Sequence, residues 1–234
     1  MSKIYLYMAI RPVFFPVFDK SLILQKDYEF LWNAGFSKVQ KELNVKSLHA
    51  SAKERDRDIK ILEVSTKSNI PLGVNLSAFN LKINTDNFGE ICVESLYQGS
   101  KVYSELGQIE EFFNMNPFEI KKRLREIEEH KKLNLIEFKY NSTNWPLSPK
   151  EGFYNWLYIS ALHKNPKNNK LKEDVLQFNA FTDIEFNPHK DKVNCQAKSC
   201  AIYVSLVKQN LIDKALKDKD SFINLFSGYQ IPLL

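Results

Sequence analysis

The stretch I59-K-I-L-E-V-S-T-K-S-N-I-P-L-G-V-N-L-S-A-F-N-L-K-I83 decides how the rest of the chain is read. I59-K-I-L-E-V64 and V74-N-L-S-A-F-N-L-K-I83 are strand-like runs joined by the polar turn Ser65–Pro71. Upstream, residues 22–34 set Tyr28, Phe30 and Trp32 in alternation with Asp27, Glu29 and Leu31, a period-2 strand pattern. Residues 36–54 read as a helix with Val39, Leu43 and Leu48 on its apolar side. Downstream, Glu90–Val93 makes a third short strand, and the pattern then turns mainly helical. The helical segments are 94–106, 109–133, 150–163, 170–179, 196–210 and 212–226. Pro146 and Pro149 suit the start of the 150–163 helix, whose Trp156, Leu157, Ile159 and Leu162 leave it apolar on most sides and mark it as central. These elements predict one α+β domain spanning residues 1–234, predominantly helical, with a small sheet from the N-terminal third.

The composition narrows the function classes. The chain has 234 residues, 44% apolar and 26% charged, and at that length it needs neither metal nor disulfide to fold. Its 7 glycines leave no material for a phosphate-cradling loop; neither G-x-G-x-x-G nor G-x-x-x-x-G-K-[ST] occurs. A net charge of +5 permits an anionic partner without demanding one. With 28 lysines to 5 arginines, the forked side chains that read guanine edges in duplex DNA are scarce. The three cysteines, Cys92, Cys195 and Cys200, suit a reducing, cytoplasmic compartment. Cys195 and Cys200 with His189 match no zinc spacing, so no metal site is expected. No apolar run reaches 18 residues, and Arg11 and Pro12 interrupt the apolar start before any signal-peptide pattern develops. Residues 1–7 are read as a dispensable extension.

Three stretches put polar residues where a core pattern would not. In V93-E-S-L-Y-Q-G-S-K101, Glu94, Gln98 and Lys101 fall at i, i+4 and i+7, one stripe of a helix. A carboxylate, an amide and an amine on a half-buried stripe can do chemistry, because burial brings a lysine amine towards its nucleophilic form. The same spacing also builds a surface salt-bridge ladder. In F181-T-D-I-E-F-N-P188, Asp183 and Glu185 face one side of an extended segment and can divide acid and base work, or Asp183 simply turns the chain. Ser65, Lys67 and Ser68 follow a strand where hydroxyls and an amine can hold phosphate, and Trp145 can stack on a base or fill the core. The charged run Glu119–Lys132 mixes acids and bases and reads as a solvated helix face.

E94-x3-Q98-x2-K101 resembles the E-H-x-x-Q-A-x-K signature of the NADAR family, which includes YbiA-like N-glycosidases. Trp145, Asp183 and Asn194 follow in the family's order, and L76-S-A-F-N-L81 resembles its F-S-N-F-Y opening, which brings Asn80 to the site. The branch encoded beside DarT toxins is the closer match. R11-P-V-F, G35-F-S-K-V-Q-K, I61-L-E-V-S-T-K-S, V74-N-L-S-A-F-N-L, F153-Y-N-W-L-Y-I-S-A-L-H-K-N-P and A180-F-T-D-I-E-F-N-P resemble it across residues 8–226. Ser95, Gly99 and Phe186-Asn187 depart from the general family but agree with this branch. The resemblance implies an antitoxin hydrolase that removes ADP-ribose from guanine bases in DNA, single-stranded by expectation, with no cofactor or metal. Glu94 and Lys101 would be the catalytic pair and Asp183 would assist at the ribose hydroxyls. Asn80, Gln98, Trp145, Asn194, Ser65 and Lys67 would bind ADP-ribose or guanine. ADP-ribose would be the product and the cognate DarT-type toxin a partner. The other readings are a non-catalytic antitoxin that docks on its toxin, a reader of ADP-ribosylated DNA, and a YbiA-like small-molecule N-glycosidase.

Overall fold

The computed structural model describes residues 7–19, 21–187 and 194–228. Most of the expected N-terminal extension (1–6), together with Pro188 and His189, lies outside the described residues. The elements are β1 (Tyr7–Pro16), β2 (Ile23–Trp32), α1 (Lys38–Arg55), β3 (Ile61–Glu63), α2 (Pro71–Asn75), β4 (Lys82–Thr85), β5 (Gly89–Cys92), α3 (Val93–Gly99), β6 (Lys101–Tyr103), β7 (Gly107–Gln108), α4 (Pro117–Glu128), β8 (Leu135–Tyr140), β9 (Thr143–Trp145), α5 (Gly152–Lys164), α6 (Asn169–Asp174), β10 (Ala180–Thr182), α7 (Gln196–Lys208), α8 (Ile212–Ala215) and α9 (Lys219–Gly228). The class is α+β. Two compact units gather these elements: residues up to Ser77 with Leu171–Asp213, and Ala78–Lys170 with Lys214–Gly228.

The first unit is built on a sheet in the order β2-β1-β10-β3. β1 and β2 form a long antiparallel hairpin from Tyr7↔Trp32 to Pro16↔Ile23, and β10 runs antiparallel to β1 and parallel to β3. β1 escapes a period-2 reading because its buried Val13 and Phe14 are consecutive, so both of its faces are covered. α1 starts with a capping box: the Ser37 hydroxyl accepts from the Gln40 amide and the Gln40 side chain from the Ser37 amide. Its buried side keeps only Leu48 of the three residues expected there. Val39 and Leu43 are exposed, while Val45, Leu48 and Ala52 pack with Val13, Tyr28, Phe30, Ile61 and Ala180. Asn44 is buried on that side because its side chain bridges both backbone groups of Asn33. α7 is buried from Ala197 to Leu206 and packs on β1, β2 and β10.

The run 74–83 is not the single strand expected from its alternation. Pro71 opens the short helix α2, the chain turns through Leu76–Asn80, and only Lys82–Thr85 is strand. Leu76, Ala78 and Leu81 are buried by successive turns, which satisfies the same spacing. Gly73 allows this course: a Cβ there would lie 1.9 Å from the Glu63 carbonyl oxygen and 2.4 Å from Ser68 Oγ. Gly73→Ala is therefore expected to cost about 3 kcal/mol, read as a drop in the denaturant midpoint; an unchanged midpoint would show that the backbone can yield.

The second unit has a sheet in the order β7-β6-β8-β9 and the β4-β5 hairpin, with α3, α4, α5 and α9. The expected helix over 94–106 stops at Gly99, where the Ser100 hydroxyl donates to the Leu96 carbonyl and Lys101 enters β6. Gly99 is itself a close approach, since a Cβ would meet the Phe113 ring at 2.6 Å. The expected 109–133 helix is a 3-10 turn at Glu110–Asn114 followed by α4, which Asn116 and Glu119 cap. The β8-β9 hairpin turns through Asn141 and Ser142, whose φ values of 45° and 58° are the left-handed pair of a two-residue type I′ connection. α5 is buried on nearly every side, as its composition predicts for a central helix.

Candidate active site

In the second unit, the first turn of α3 is hydrogen-bonded to the segment before β4: the Glu94 amide donates to the Ala78 carbonyl (2.9 Å) and the Val93 amide to Leu81 (3.0 Å). Glu94 therefore stands beside Phe79 and the exposed Asn80. One turn on, Gln98 Nε2 donates to Glu94 Oε1 at 2.9 Å, which fixes the amide orientation. Gln98 Oε1 is left buried without a hydrogen-bond partner, an acceptor whose desolvation a ligand O–H or N–H would relieve.

Lys101 reaches this group from a strand and not from a helical stripe. It is largely buried, with Nζ 5.1 Å from the centre of the Tyr97 ring. Burial lowers its pKa from the ordinary lysine value, while the carboxylates of Glu94 and then Glu128 pull it back up. Burial wins, so the neutral amine is more available than on a solvent lysine. Across the sheet, Lys101 is opposite Phe138, and Phe138 is opposite Trp145. Registered partners share a face, so Lys101 and Trp145 stand in one row, roughly 10 Å apart at two strand spacings. Trp145 is only 2% exposed, against Phe153 and Trp156. With Tyr97, Phe138 and Phe153 it makes an aromatic wall on that row.

In the first unit, Asp183 follows β10. Its carboxylate accepts the Glu185 amide at 3.0 Å, closing an Asx-type turn, and the residue is 8% exposed. Lys41 pairs with Glu185 at 3.1 Å, and Arg11 feels the charge of both acids. Arg11 and Lys41 both lie over the Trp32 ring, at 5.2 and 5.5 Å. Asn194 precedes α7, and its Oδ1 is buried without a hydrogen-bond partner.

Sequence reading assigned nothing to the residue that holds this region together. Glu63, 1% exposed on β3, accepts from the Ser65 hydroxyl (2.6 Å), the Thr182 hydroxyl (2.7 Å) and the Ile184 amide (2.9 Å). Thr182 Oγ1 also lies 2.8 Å from His49 Nε2, which links the imidazole to the same network. Burial, reinforced by Lys53, lowers the His49 pKa to about 4, which keeps the ring neutral. Glu63 thereby grips the residues on either side of Asp183. Full burial, then the neighbouring Asp183 charge, pushes the Glu63 pKa well above the carboxylate range against its three donors. The signal was in I61-L-E-V64, a single acid in an otherwise apolar run. Ser65 spends its hydroxyl on Glu63 and accepts the Lys67 amide (3.1 Å), so it shapes the turn that carries Lys67.

An amine of lowered basicity, a carboxylate whose charge it feels and an oriented amide can support attack on an electrophilic carbon with proton transfer to a departing group. The sequence matches the NADAR-DarT1 family, described as DarT1-associated NADAR antitoxin, over residues 9–232. The chain belongs to this family. The match spans both units, and the family's association makes a DarT toxin the partner it points to. No curated protein matches the chain. Among the described residues no helix is long and apolar enough to cross a membrane.

Proposed function

We propose that this antitoxin is a metal-independent N-glycosidic hydrolase that removes ADP-ribose from guanine bases in DNA, acting in the cytoplasm. The observation that carries the reading is the largely buried Lys101 amine in the electrostatic reach of Glu94, with Gln98 bound to that carboxylate, in a chain of the DarT1-associated family. The adduct joins the distal ribose C1″ to the exocyclic amine of guanine. The Glu94 carboxylate takes the proton of the exocyclic N–H and passes it to the ring oxygen as the ribose opens to an imine. The neutral Lys101 amine then adds to C1″, and proton transfer through Glu94 lets guanine leave with its amine restored. Lys101 is left as an imine to the open ribose. Water adds to that imine, C1″ becomes the aldehyde of free ADP-ribose, and Lys101 regains its amine.

The remaining roles in this reading are those the family resemblance gives. In the second unit, Gln98 Oε1 accepts from a ribose hydroxyl and Asn80 holds ribose or phosphate; for Asn194 and Lys67 in the first unit the resemblance gives ribose and phosphate binding. Trp145, buried against Phe153 and Trp156, backs the aromatic wall; in the first unit Ser65 acts through the turn it fixes, and the resemblance gives Asp183 the ribose hydroxyls. A single-stranded oligonucleotide with ADP-ribose on one guanine tests the reading. Wild type is expected to return unmodified guanine and free ADP-ribose, seen by mass spectrometry, in the presence of a chelator as in its absence. An adduct bound but left intact would favour a reader; an adduct neither bound nor cleaved, with toxin held in a stoichiometric complex, would favour a docking antitoxin.

A further inference from the structure

Phe118 is 72% exposed at the start of α4, a position where helix formation asks for no aromatic side chain. It is not an isolated surface ring. Its centroid is 5.4 Å from that of Phe79 at 49°, and Lys121 Nζ stands 4.7 Å from the centre of the Phe79 ring. Phe79 follows directly on Ala78, whose carbonyl the Glu94 amide holds, so this ring pair is tied to the turn that carries Glu94. The local charge favours an anion. Lys121 and Lys122 are exposed, while the one acid on that turn, Glu119, is bent back to accept the Asn116 amide in the capping box.

We propose that Phe118, backed by Phe79 and flanked by Lys121, is the stacking ledge for a base neighbouring the modified guanine in a single-stranded nucleic acid. This rests on the proposed activity on ADP-ribosylated DNA. An open aromatic face with an ammonium beside it is the chemistry that binds single strands without reading sequence, because every base has a π-face and every step a phosphate. It fits a chain rich in lysine and poor in arginine forks. The ledge would hold the flanking nucleotide while the modified base enters beside Glu94.

Phe118 is exposed, so its replacement leaves the fold intact. Two readouts test it. In the first, KM and kcat are measured on an oligonucleotide with a central ADP-ribosyl-guanine and on the ADP-ribosylated deoxyguanosine nucleoside, which has no neighbours. Phe118→Ala is expected to raise the oligonucleotide KM about tenfold at constant kcat and to leave the nucleoside unaffected, while Phe118→Trp restores the wild-type KM. Lys121→Ala is expected to lower the slope of log KM against log salt by about 1. An unchanged oligonucleotide KM, or an equal rise on both substrates, would overturn the ledge. So would loss of toxin capture by Phe118→Ala with oligonucleotide binding intact, which would make the surface a protein-docking site. In the second, fluorescence anisotropy follows an unmodified single-stranded oligonucleotide. If wild type cleaves neither substrate, the hydrolase reading falls; a tenfold weaker anisotropy Kd for Phe118→Ala would still support the ledge, and equal Kd values would remove it.

Discussion

Lys101→Ala is expected to lower kcat/KM for adduct removal by about a thousandfold or more, the scale of losing a covalent nucleophile, which is the role proposed for Lys101. Lys101→Arg does not rescue, because a guanidinium stays protonated and cannot add to C1″. Lys101→Met separates chemistry from folding. Methionine keeps the stem volume over Tyr97 and removes an amine whose charged form burial disfavours, so this variant is expected to melt no lower than wild type while remaining inactive. Loss of activity with a parallel loss of stability would make Lys101 a structural residue. The pH profile adds a second signature. The proposed reaction needs the neutral amine, so activity is expected to rise with pH through the Lys101 pKa, and Glu94→Gln removes the first of the charges that hold the proton on. The residual rate of that variant is expected to rise at lower pH than the wild-type rate. A rise at higher pH would contradict the Glu94–Lys101 coupling.

The largest stability effect is expected at Glu63. Glu63→Leu fills the space but strands the Ser65 hydroxyl, the Thr182 hydroxyl and the Ile184 amide, and the expected cost is about 3–5 kcal/mol in chemical denaturation. Under the role proposed for Asp183, activity is expected to fall with it, because Thr182 and Ile184 flank Asp183. Glu63→Gln keeps an acceptor for Ile184 and is far milder. The pH dependence has a definite sign. The folded chain holds the Glu63 proton more tightly than the unfolded chain, where the group titrates at about 4.3. Its stabilising contribution is complete below that value and is lost as pH rises through the raised folded pKa. The melting temperature of Glu63→Gln relative to wild type should therefore increase from pH 5 towards neutrality. A constant difference would show that the carboxyl is ionised throughout.

How much of this was legible before folding differs by region. β2 and α1 could be read because each has one buried and one solvated side or a clear capping residue, although α1 shows which of its apolar residues are buried only once Asn44 meets Asn33. α5 and α7 could be read because continuous apolar composition over helical length has few alternatives. The β8-β9 hairpin was missed even though L135-I-E-F-K-Y140 alternates, because its turn uses Asn141 and Ser142 at positive φ without a glycine. The run 74–83 misled because period-2 spacing cannot tell a strand from consecutive buried turns, and Pro71 with Gly73 were the better guides.

The site divides the same way. Glu94 and Gln98 do lie one helical turn apart and are hydrogen-bonded. Lys101 was grouped with them by a helical count that the chain does not keep beyond Gly99; β6 delivers it instead, opposite Phe138 in a sheet no local pattern revealed. The row from Lys101 to Trp145 and the grip of Glu63 on both sides of Asp183 are long-range pairings. Register and burial create them, and no spacing along the chain encodes them.

Borohydride quenching of the enzyme during turnover of an oligonucleotide carrying ADP-ribosyl-guanine, followed by peptide mass spectrometry, tests the lysine mechanism most directly. Reduction of the imine between Lys101 and the opened ribose would leave ADP-ribose fixed on the peptide containing Lys101, absent from Lys101→Ala and from samples without the adduct. A full yield of unmodified guanine with every lysine unlabelled would contradict it.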